Sequence, residues 1–261
     1  MQLTFDHDLR YLQFSILKAI PGVWHAVLAR SGVAADGSKV PFNLGLNGHE
    51  PESEVWGRRR RVTALASAHV AVFAHQVHGA QVAVWEDGAA TPDDYVKLSG
   101  DALITSQWGA ALFIQTADCQ SVLLVDPVLR VVANIHSGWR GSIANVIGHT
   151  VDTMKRRFGC RPSDLRCGIG PSLGPCCAEF IHYRQEIPEK YWRYRYQENL
   201  FDFWRLSTDQ LITAGVPLSQ IELSGICTRC NQHLFFSYRG EGTGAGRFAA
   251  VIALTASKTE N

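Results

Sequence analysis

Short apolar runs rich in Val, Ile and Leu recur along the chain and predict β-strands. They predict strands over residues 23–30, 71–76, 80–85, 102–105, 111–116, 121–125, 130–135, 165–169, 221–225 and 247–254. Residues 33–49 are polar and contain glycine, which indicates a loop. Several predicted strands run into a polar or glycine-containing turn, and functional side chains are often placed at such strand ends.

Helical spacing and good helix formers predict longer helices over residues 52–68 and 142–158, the second ending at Gly159. A shorter helix is predicted over 208–214, and the aromatic-rich segment 183–204 is expected to cover the core as a helix and a loop. Strands and helices do not alternate strictly. The pattern therefore predicts an α/β fold of the mixed (α+β) kind rather than a doubly wound sheet. The chain contains no repeat or linker, so we expect a single domain over 1–261.

Composition narrows the possible function classes. The formal net charge is +1, without the basic excess typical of nucleic-acid binders. The arginine run 58–61 is interpreted as a solvated helix face. The chain has no apolar run of about 18 residues, so no membrane association is expected, and its start lacks the features of a signal peptide. Seven cysteines, an odd number, disfavour a disulfide scaffold and predict a reducing, cytoplasmic location.

Three of the strand ends carry a side chain that binds metals well: His78, Cys119 and His136. Imidazole and thiolate are favoured zinc ligands, and a catalytic zinc ion keeps three protein ligands and one open position. The three residues lie far apart in the chain and include no short chelating pair. From the residues alone, the alternative that the three side chains are ordinary buried core residues without a metal remains open.

A series of motifs favours the metal site. The chain reads His-Gln-Val-His-Gly at 75–79, Gly-Asp-Ala-Leu-Ile-Thr at 100–105, Thr-Ala-Asp-Cys at 116–119, His-Ser-Gly-Trp-Arg-Gly at 136–141, Gly-Ile-Gly-Pro-Ser-Leu-Gly-Pro-Cys-Cys at 168–177, Cys-Thr at 227–228 and Phe-Ser-Tyr-Arg at 236–239. In this order the motifs resemble the YfiH-like family, also called laccase-domain or polyphenol-oxidoreductase proteins. The resemblance implies a four-layer α/β/β/α sandwich with mixed sheets. It also implies a zinc ion bound by His78, Cys119 and His136, with copper as the alternative metal.

The same resemblance implies purine nucleoside phosphorylase activity on adenosine, inosine, guanosine and methylthioadenosine, with adenosine deaminase activity beside it. A purine nucleoside and phosphate are therefore the expected partners. Asn43, Glu179 and Arg247 match family positions and are predicted to bind substrate. Gly-Ala-Gly-Arg at 244–247 and Gly240 depart from the family pattern, which weakens the match at this loop.

Other residues near these motifs suggest catalytic roles. Asp118 is predicted to orient a ligand or act as a base, and Cys119 could also pair with His136 as a nucleophile. Arg140, at the start of the predicted helix 142–158, is predicted to bind phosphate together with the helix N-terminus. His75 is expected to support the site rather than bind the metal.

The remaining cysteines are interpreted as buried structural thiols, because adjacent cysteines do not easily chelate one ion. They are Cys176, Cys177, Cys227 and Cys230.

Three other functions remain as alternatives. A copper-dependent polyphenol oxidase needs many histidines, usually in His-X-His pairs, and this chain has ten histidines without such pairs. An amidase or hydrolase acting on peptidoglycan precursors would use an activated water or the Cys119–His136 pair. A non-catalytic zinc protein would normally have four protein ligands. The oligomeric state is left open.

Overall fold

A computed structural model of the chain describes residues 2–6, 9–33, 36–46, 50–86 and 95–255. The strands are β1 (Gln2–Asp6), β2 (Leu9–Gln13), β3 (Val23–Leu28), β4 (Ser31–Val33), β5 (Lys39–Pro41), β6 (Val70–His75), β7 (Val82–Trp85), β8 (Tyr95–Ser99), β9 (Ala102–Thr105), β10 (Ala110–Thr116), β11 (Gln120–Asp126), β12 (Val131–Ser137), β13 (Arg166–Ile169), β14 (Arg195–Gln197), β15 (Leu200–Phe201), β16 (Ile221–Leu223) and β17 (Phe248–Leu254). The α-helices are α1 (Ser15–Lys18), α2 (Glu52–Leu65), α3 (Trp139–Ile143), α4 (Val146–Phe158), α5 (Tyr183–Glu186), α6 (Phe203–Thr213) and α7 (Tyr238–Glu241).

Two large sheets form the centre of the fold. One has the strand order β1-β2-β3-β17-β10-β6-β8, and the other has the order β16-β13-β11-β12-β9-β7. Most neighbours are antiparallel, but β6 pairs in parallel with both β10 and β8, β7 with β9, and β13 with β16. Both sheets are therefore mixed, as predicted.

The alternation of side chains along β10 shows how the layers stack. Leu112 and Ile114 pack in the apolar cluster between the two sheets. Ala111 and Phe113 belong to a second cluster, which includes Val62 of α2 on the outer face of the seven-stranded sheet. A third cluster holds α4 and α6 against the outer face of the six-stranded sheet. These clusters confirm the four-layer α/β/β/α sandwich.

The strands predicted at the centre of both sheets are present, with shifted ends. Elements at the periphery were not predicted: β1, β2, β8 and the short pairs β4–β5 and β14–β15. The predicted loop 33–49 contains β5, while its residues 34–35 and 47–49 lie outside the described residues. These strands have only two to five residues each, so the sequence pattern gives little signal for them. In the described residues, no helix is long and apolar enough to cross a membrane.

The prediction of one helix over 142–158 is wrong. Asn145 takes a left-handed conformation (φ 59°) between α3 and α4, and its side chain accepts a hydrogen bond from the Gly148 N–H at 3.2 Å. Asn145 is thus the N-cap of α4, because asparagine tolerates this conformation better than most residues and also supplies a capping oxygen. The break separates Arg140, in the short α3, from the N-terminus of the longer helix.

The break between α3 and α4 leads to a prediction about the stability of the protein. Asn145→Ala removes the cap and places an alanine at positive φ, so we expect the free energy of unfolding to fall by about 1–3 kcal/mol. Asn145→Gly removes the same side chain without the conformational cost and should lose only a few tenths of a kcal/mol. Urea unfolding of both variants measures the difference. Equal losses would show that the left-handed conformation at this position carries no cost.

Candidate metal centre

The candidate centre is built around the carboxylate of Asp101, which is fully buried just before β9. One oxygen accepts the His78 N–H at 2.9 Å, and the other accepts the N–H groups of Gly79 at 2.7 Å and Val77 at 3.3 Å. His78 itself has a φ of 60°, so the chain after β6 curls around the carboxylate. The turn holds the His78 imidazole at the mouth of the site.

The same carboxylate orients the second histidine. His136, on β12, is 2% exposed, and its Nδ1 lies 2.8 Å from Asp101 Oδ1. Burial opposes ionisation of Asp101, but the hydrogen bonds from His136 and from the Gly79 N–H hold the pKa of this carboxyl below its usual value. An ionised carboxylate assigns the Nδ1 proton to this bond and leaves His136 Nε2 as a metal-binding lone pair.

Cys119 completes the group from the turn between β10 and β11. Its Sγ and one nitrogen from each of the two imidazoles all lie within 4.8 Å of one another. Burial raises the pKa of the Cys119 thiol, but the nearby His136 and His78 outweigh this effect and lower it to about 6. The thiolate in turn raises the pKa of His136 against the effect of burial. A metal cation would replace these shared protons, because metal ligands bind in their deprotonated forms.

Gly138 provides the space that the three side chains occupy. A Cβ atom at this position would lie 2.8 Å from His78 Cδ2 and 3.1 Å from Cys119 Sγ. The backbone of Gly138 is extended (φ −73°, ψ 170°), so the requirement for glycine comes from crowding and not from backbone conformation. Two imidazoles and one thiolate, with their ligand atoms within 4.8 Å of one another and a carboxylate beside them, fit a zinc ion that has one free position.

The group opens into a cleft of about 1100 Å³. The described side chains that line it include six aromatic rings, four arginines and one lysine, with a single carboxylate. They are Trp56, Phe73, Tyr95, Trp139, Phe180, Tyr238, Arg59, Arg140, Arg239, Arg247, Lys97 and Asp118. This excess of cations over one carboxylate makes the cleft electropositive, which favours an anionic ligand.

Comparison with known proteins places the chain in a family. The family described as "Multi-copper polyphenol oxidoreductase laccase" matches residues 24–255. The chain belongs to this family. Purine nucleoside phosphorylase YlmD of Geobacillus stearothermophilus is 34% identical over 82% of this chain and 85% of its own length. The crystal structure of YlmD from that organism superposes with a TM-score of 0.81 at 27% identity, covering 97% of this chain and 98% of the other.

A second curated relative carries a different name. Adenosine deaminase RL5, from an unknown prokaryotic organism, is 30% identical over 67% of this chain and 72% of its own length. The predicted membership of the laccase-domain family is therefore confirmed. In this member of the family, the described residues contain one group with histidine that could hold a metal ion, and that group has three members.

Asp118 lines the cleft but is occupied by its neighbours. Its carboxylate accepts hydrogen bonds from Thr228 Oγ1 at 2.6 Å, Ser237 Oγ at 2.7 Å and the Arg239 N–H at 2.6 Å. The contacts favour a positioning role, in which Asp118 holds the segment that carries Arg239 and Tyr238 along the cleft. A catalytic role for Asp118 stays a prediction.

Arg140 borders the cleft, with its guanidinium 4.2 Å from the centre of the Trp139 ring. Arg140 does not lie at the start of a long helix, as was predicted. It lies in α3, which has only five residues, and the longer helix α4 begins at Val146. Phosphate binding at Arg140 stays a prediction, and it would depend on the guanidinium rather than on the dipole of a long helix. Arg247 also lines the cleft, with its Nη1 donating to the carbonyl groups of Ala245 and Gly246 at 2.7 and 2.9 Å.

Two other predicted site residues, Asn43 and Glu179, lie outside this lining, whereas His75 belongs to it. Asn43 is buried and joins two loops: its Oδ1 accepts from the N–H groups of Gly45 and Arg247, and its Nδ2 donates to Glu50. Glu179 is exposed and contributes its backbone carbonyl to Arg239 at 3.0 Å. His75 is exposed on the cleft and is not part of the His-Cys-His group. Substrate contact by Asn43 and Glu179 stays a prediction, and the geometry gives both of them supporting roles.

Three important positions were missed by the sequence interpretation: Asp101, Gly138 and Arg239. All three lie in motifs that were noted, but no role was assigned to them. The signal for Asp101 was available, because metal-binding histidines usually donate their second N–H to a carboxylate or carbonyl.

Asp101 provides a direct test of this arrangement. We expect Asp101→Asn to weaken zinc binding by about 10- to 100-fold, since the amide no longer fixes the His136 tautomer. Zinc affinity is measured by competition with a chromogenic chelator. Asp126→Asn is the matched control, because Asp126 is also buried and accepts backbone N–H groups, those of Val128 and Leu129, in a different turn. An equal change in zinc affinity for both variants would contradict the orienting role of Asp101.

Proposed function

We propose that this chain is a zinc-dependent purine nucleoside phosphorylase, active on adenosine, inosine, guanosine and methylthioadenosine, with adenosine deaminase activity in the same cleft. The observation that carries the proposal is the lining of this cleft, in which the His-Cys-His group, aromatic rings and arginines border one space. The printed names of the two curated relatives support both activities. We propose a purine nucleoside and phosphate as its ligands, and neither a nucleic acid nor a membrane.

The aromatic rings suit the purine base. Trp139 and Phe180 lie 5.8 Å apart, centre to centre, at an angle of 70°, next to the metal ligands. A purine can stack on such a ring, and stacking of a base on an aromatic side chain contributes about 1–3 kcal/mol. We assign this wall to the base because it borders the metal centre.

The arginines of the cleft suit phosphate, but they differ in how many hydrogen bonds their guanidinium groups already form within the protein. Arg59 is buried, and its Nε and Nη2 both donate to the Leu44 carbonyl, at 3.0 and 2.7 Å. Arg239 donates to the carbonyl groups of Cys177 and Glu179. Arg140 makes no hydrogen bond to a described residue through its guanidinium and is exposed to the cleft. Arg140 is thus our primary phosphate-binding residue, because a guanidinium binds phosphate oxygens in a bidentate manner.

The two reactions differ in the nucleophile. In phosphorolysis, a phosphate oxygen forms a bond to C1′ of the ribose while the C1′–N9 bond breaks, and the purine takes up a proton. In deamination, water adds at C6 of adenine and ammonia leaves. A zinc ion held by His78, Cys119 and His136 would supply Lewis-acid chemistry. The chain itself contributes the positions of base and phosphate, and positioning supplies a large part of such rate enhancements.

The alternatives receive less support. An oxidase with several copper ions needs several histidine-rich groups, and the described residues contain one group with two histidines. An amidase or hydrolase would use the Cys119–His136 pair but gives no role to the excess of arginines. Copper bound at the same three ligands remains the chemical basis for any oxidase activity.

The main prediction concerns phosphate. The purified zinc-containing protein should convert inosine to hypoxanthine and ribose 1-phosphate only when phosphate is present, as measured by chromatography of the products. Adenosine should in addition release ammonia, and the Cys119→Ala variant should lose both reactions because it lacks a metal ligand. Release of hypoxanthine without phosphate would contradict the phosphorylase assignment.

A second prediction separates phosphate binding from nucleoside binding. Arg140→Ala removes a charge-assisted contact of about 1.5–3 kcal/mol, which corresponds to a rise in KM for phosphate of about 10- to 100-fold. The KM for inosine should change far less. Arg156→Ala, which breaks only an exposed ion pair with Asp152 on α4, is the matched control. An unchanged KM for phosphate in the Arg140→Ala variant would rule out our placement of the phosphate.

A further inference from the structure

Four cysteines outside the cleft converge on one point. The sulphur atoms of Cys176, Cys177, Cys227 and Cys230 all lie within 4.8 Å of one another. Cys230 Sγ is 3.7 Å from Cys176 Sγ and 3.6 Å from Cys177 Sγ. The sequence interpretation of four buried structural thiols is wrong for Cys176 and Cys230, which are exposed. We expected that adjacent cysteines would not easily share one ion, but Cys176 and Cys177 both direct their sulphur atoms toward Cys230 Sγ.

These distances fit a tetrahedral metal site. A zinc–sulphur bond of about 2.3 Å places the four sulphurs of a regular tetrahedron about 3.8 Å apart. The distances from Cys230 Sγ to Cys177 Sγ and Cys176 Sγ, 3.6 and 3.7 Å, are close to this value. A disulfide would bring two sulphurs to about 2.05 Å and leave the other two without a role. The arrangement therefore fits one ion shared by four thiolates better than a bridge between two.

The local sequence and packing also suit a shared ion. Cys227-Thr228-Arg229-Cys230 has the spacing of a zinc-binding turn. A Cβ at position 174 would lie 3.0 Å from Cys227 Cβ and 2.8 Å from the Trp204 ring, so a glycine is needed for this close approach.

We propose that Cys176, Cys177, Cys227 and Cys230 form a second metal site, which binds a zinc ion through four thiolates. Tetrahedral sites with four sulphur ligands are typical of zinc, and a site closed by four protein ligands is structural rather than catalytic. None of the four cysteines lines the cleft or belongs to the His-Cys-His group. The site is independent of the proposed nucleoside chemistry.

The ion would join two loops that contact the lining residues Arg239 and Asp118 of the cleft. In the first loop, the Cys177 carbonyl accepts from Arg239 Nη1 at 3.3 Å. In the second loop, the hydroxyl of Thr228, next to Cys227, donates to Asp118 at 2.6 Å. The loops are otherwise linked by backbone hydrogen bonds between Ser172 and residues 226 and 228. Zinc would thus hold Arg239 and Asp118 in place through these two loops, and the ion itself would not contact the substrate.

The test is zinc analysis of the full chain by mass spectrometry after expression without added copper. We expect two zinc ions per chain, one in Cys119→Ala and one in the double variant Cys176→Ser with Cys230→Ser. Cys160→Ala, which removes a buried thiol elsewhere, should keep both. Failure of the proposed function would not affect the zinc that remains in Cys119→Ala, so the two proposals fail separately.

A second measurement does not depend on the folding of the double variant. Cobalt(II) added to the apoprotein of Cys119→Ala should give the intense visible and sulphur charge-transfer bands of a tetrahedral cobalt tetrathiolate. A metal-free Cys119→Ala protein, or stoichiometric iron in place of zinc, would overturn the assignment. A disulfide from Cys230 to Cys176 or Cys177 in protein purified without oxygen would overturn it too.

Discussion

The contact on which the candidate site depends is the buried carboxylate of Asp101. It accepts three backbone N–H groups from the turn that carries His78 and one imidazole N–H from His136. His78 follows a strand of the seven-stranded sheet, whereas His136 belongs to the six-stranded sheet. A buried carboxylate without partners would cost several kcal/mol. These donors offset that cost, and they also fix ligands from the two sheets relative to each other.

The chemistry of the cleft follows from this arrangement. His136 and His78 outweigh the effect of burial and lower the pKa of the Cys119 thiol, so that a thiolate lines an electropositive cleft. A side chain at position 138 would collide with His78 and Cys119, so the glycine there allows the three donors to lie close together. Some arginines of the cleft, such as Arg59, form hydrogen bonds within the protein, whereas Arg140 is exposed to the cleft and is the one that we propose for phosphate. Arginine thus stabilises the fold at some positions and serves the proposed function at another.

The apolar runs were enough to predict the central strands, because buried strands of a sandwich carry continuous apolar side chains. The sequence placed His78, Cys119 and His136 at strand ends, and the family motifs singled them out as candidate metal ligands. The break at Asn145 could not be predicted, since a left-handed residue is a local choice that apolar periodicity does not record. The four-cysteine cluster could not be predicted either, because its halves are brought together by the contact between Ser172 and Cys227 in the folded chain. Glu179 matched a motif, but its side chain faces solvent.

The central claim is that His78, Cys119 and His136 hold a zinc ion at the floor of the cleft. Anomalous diffraction from crystals of the purified chain, recorded on both sides of the zinc absorption edge, tests it most directly. A zinc ion at this centre gives an anomalous peak about 2.3 Å from Cys119 Sγ and about 2.0–2.1 Å from one nitrogen of each histidine. An empty difference map at these three side chains, in protein shown to be active, would contradict the claim.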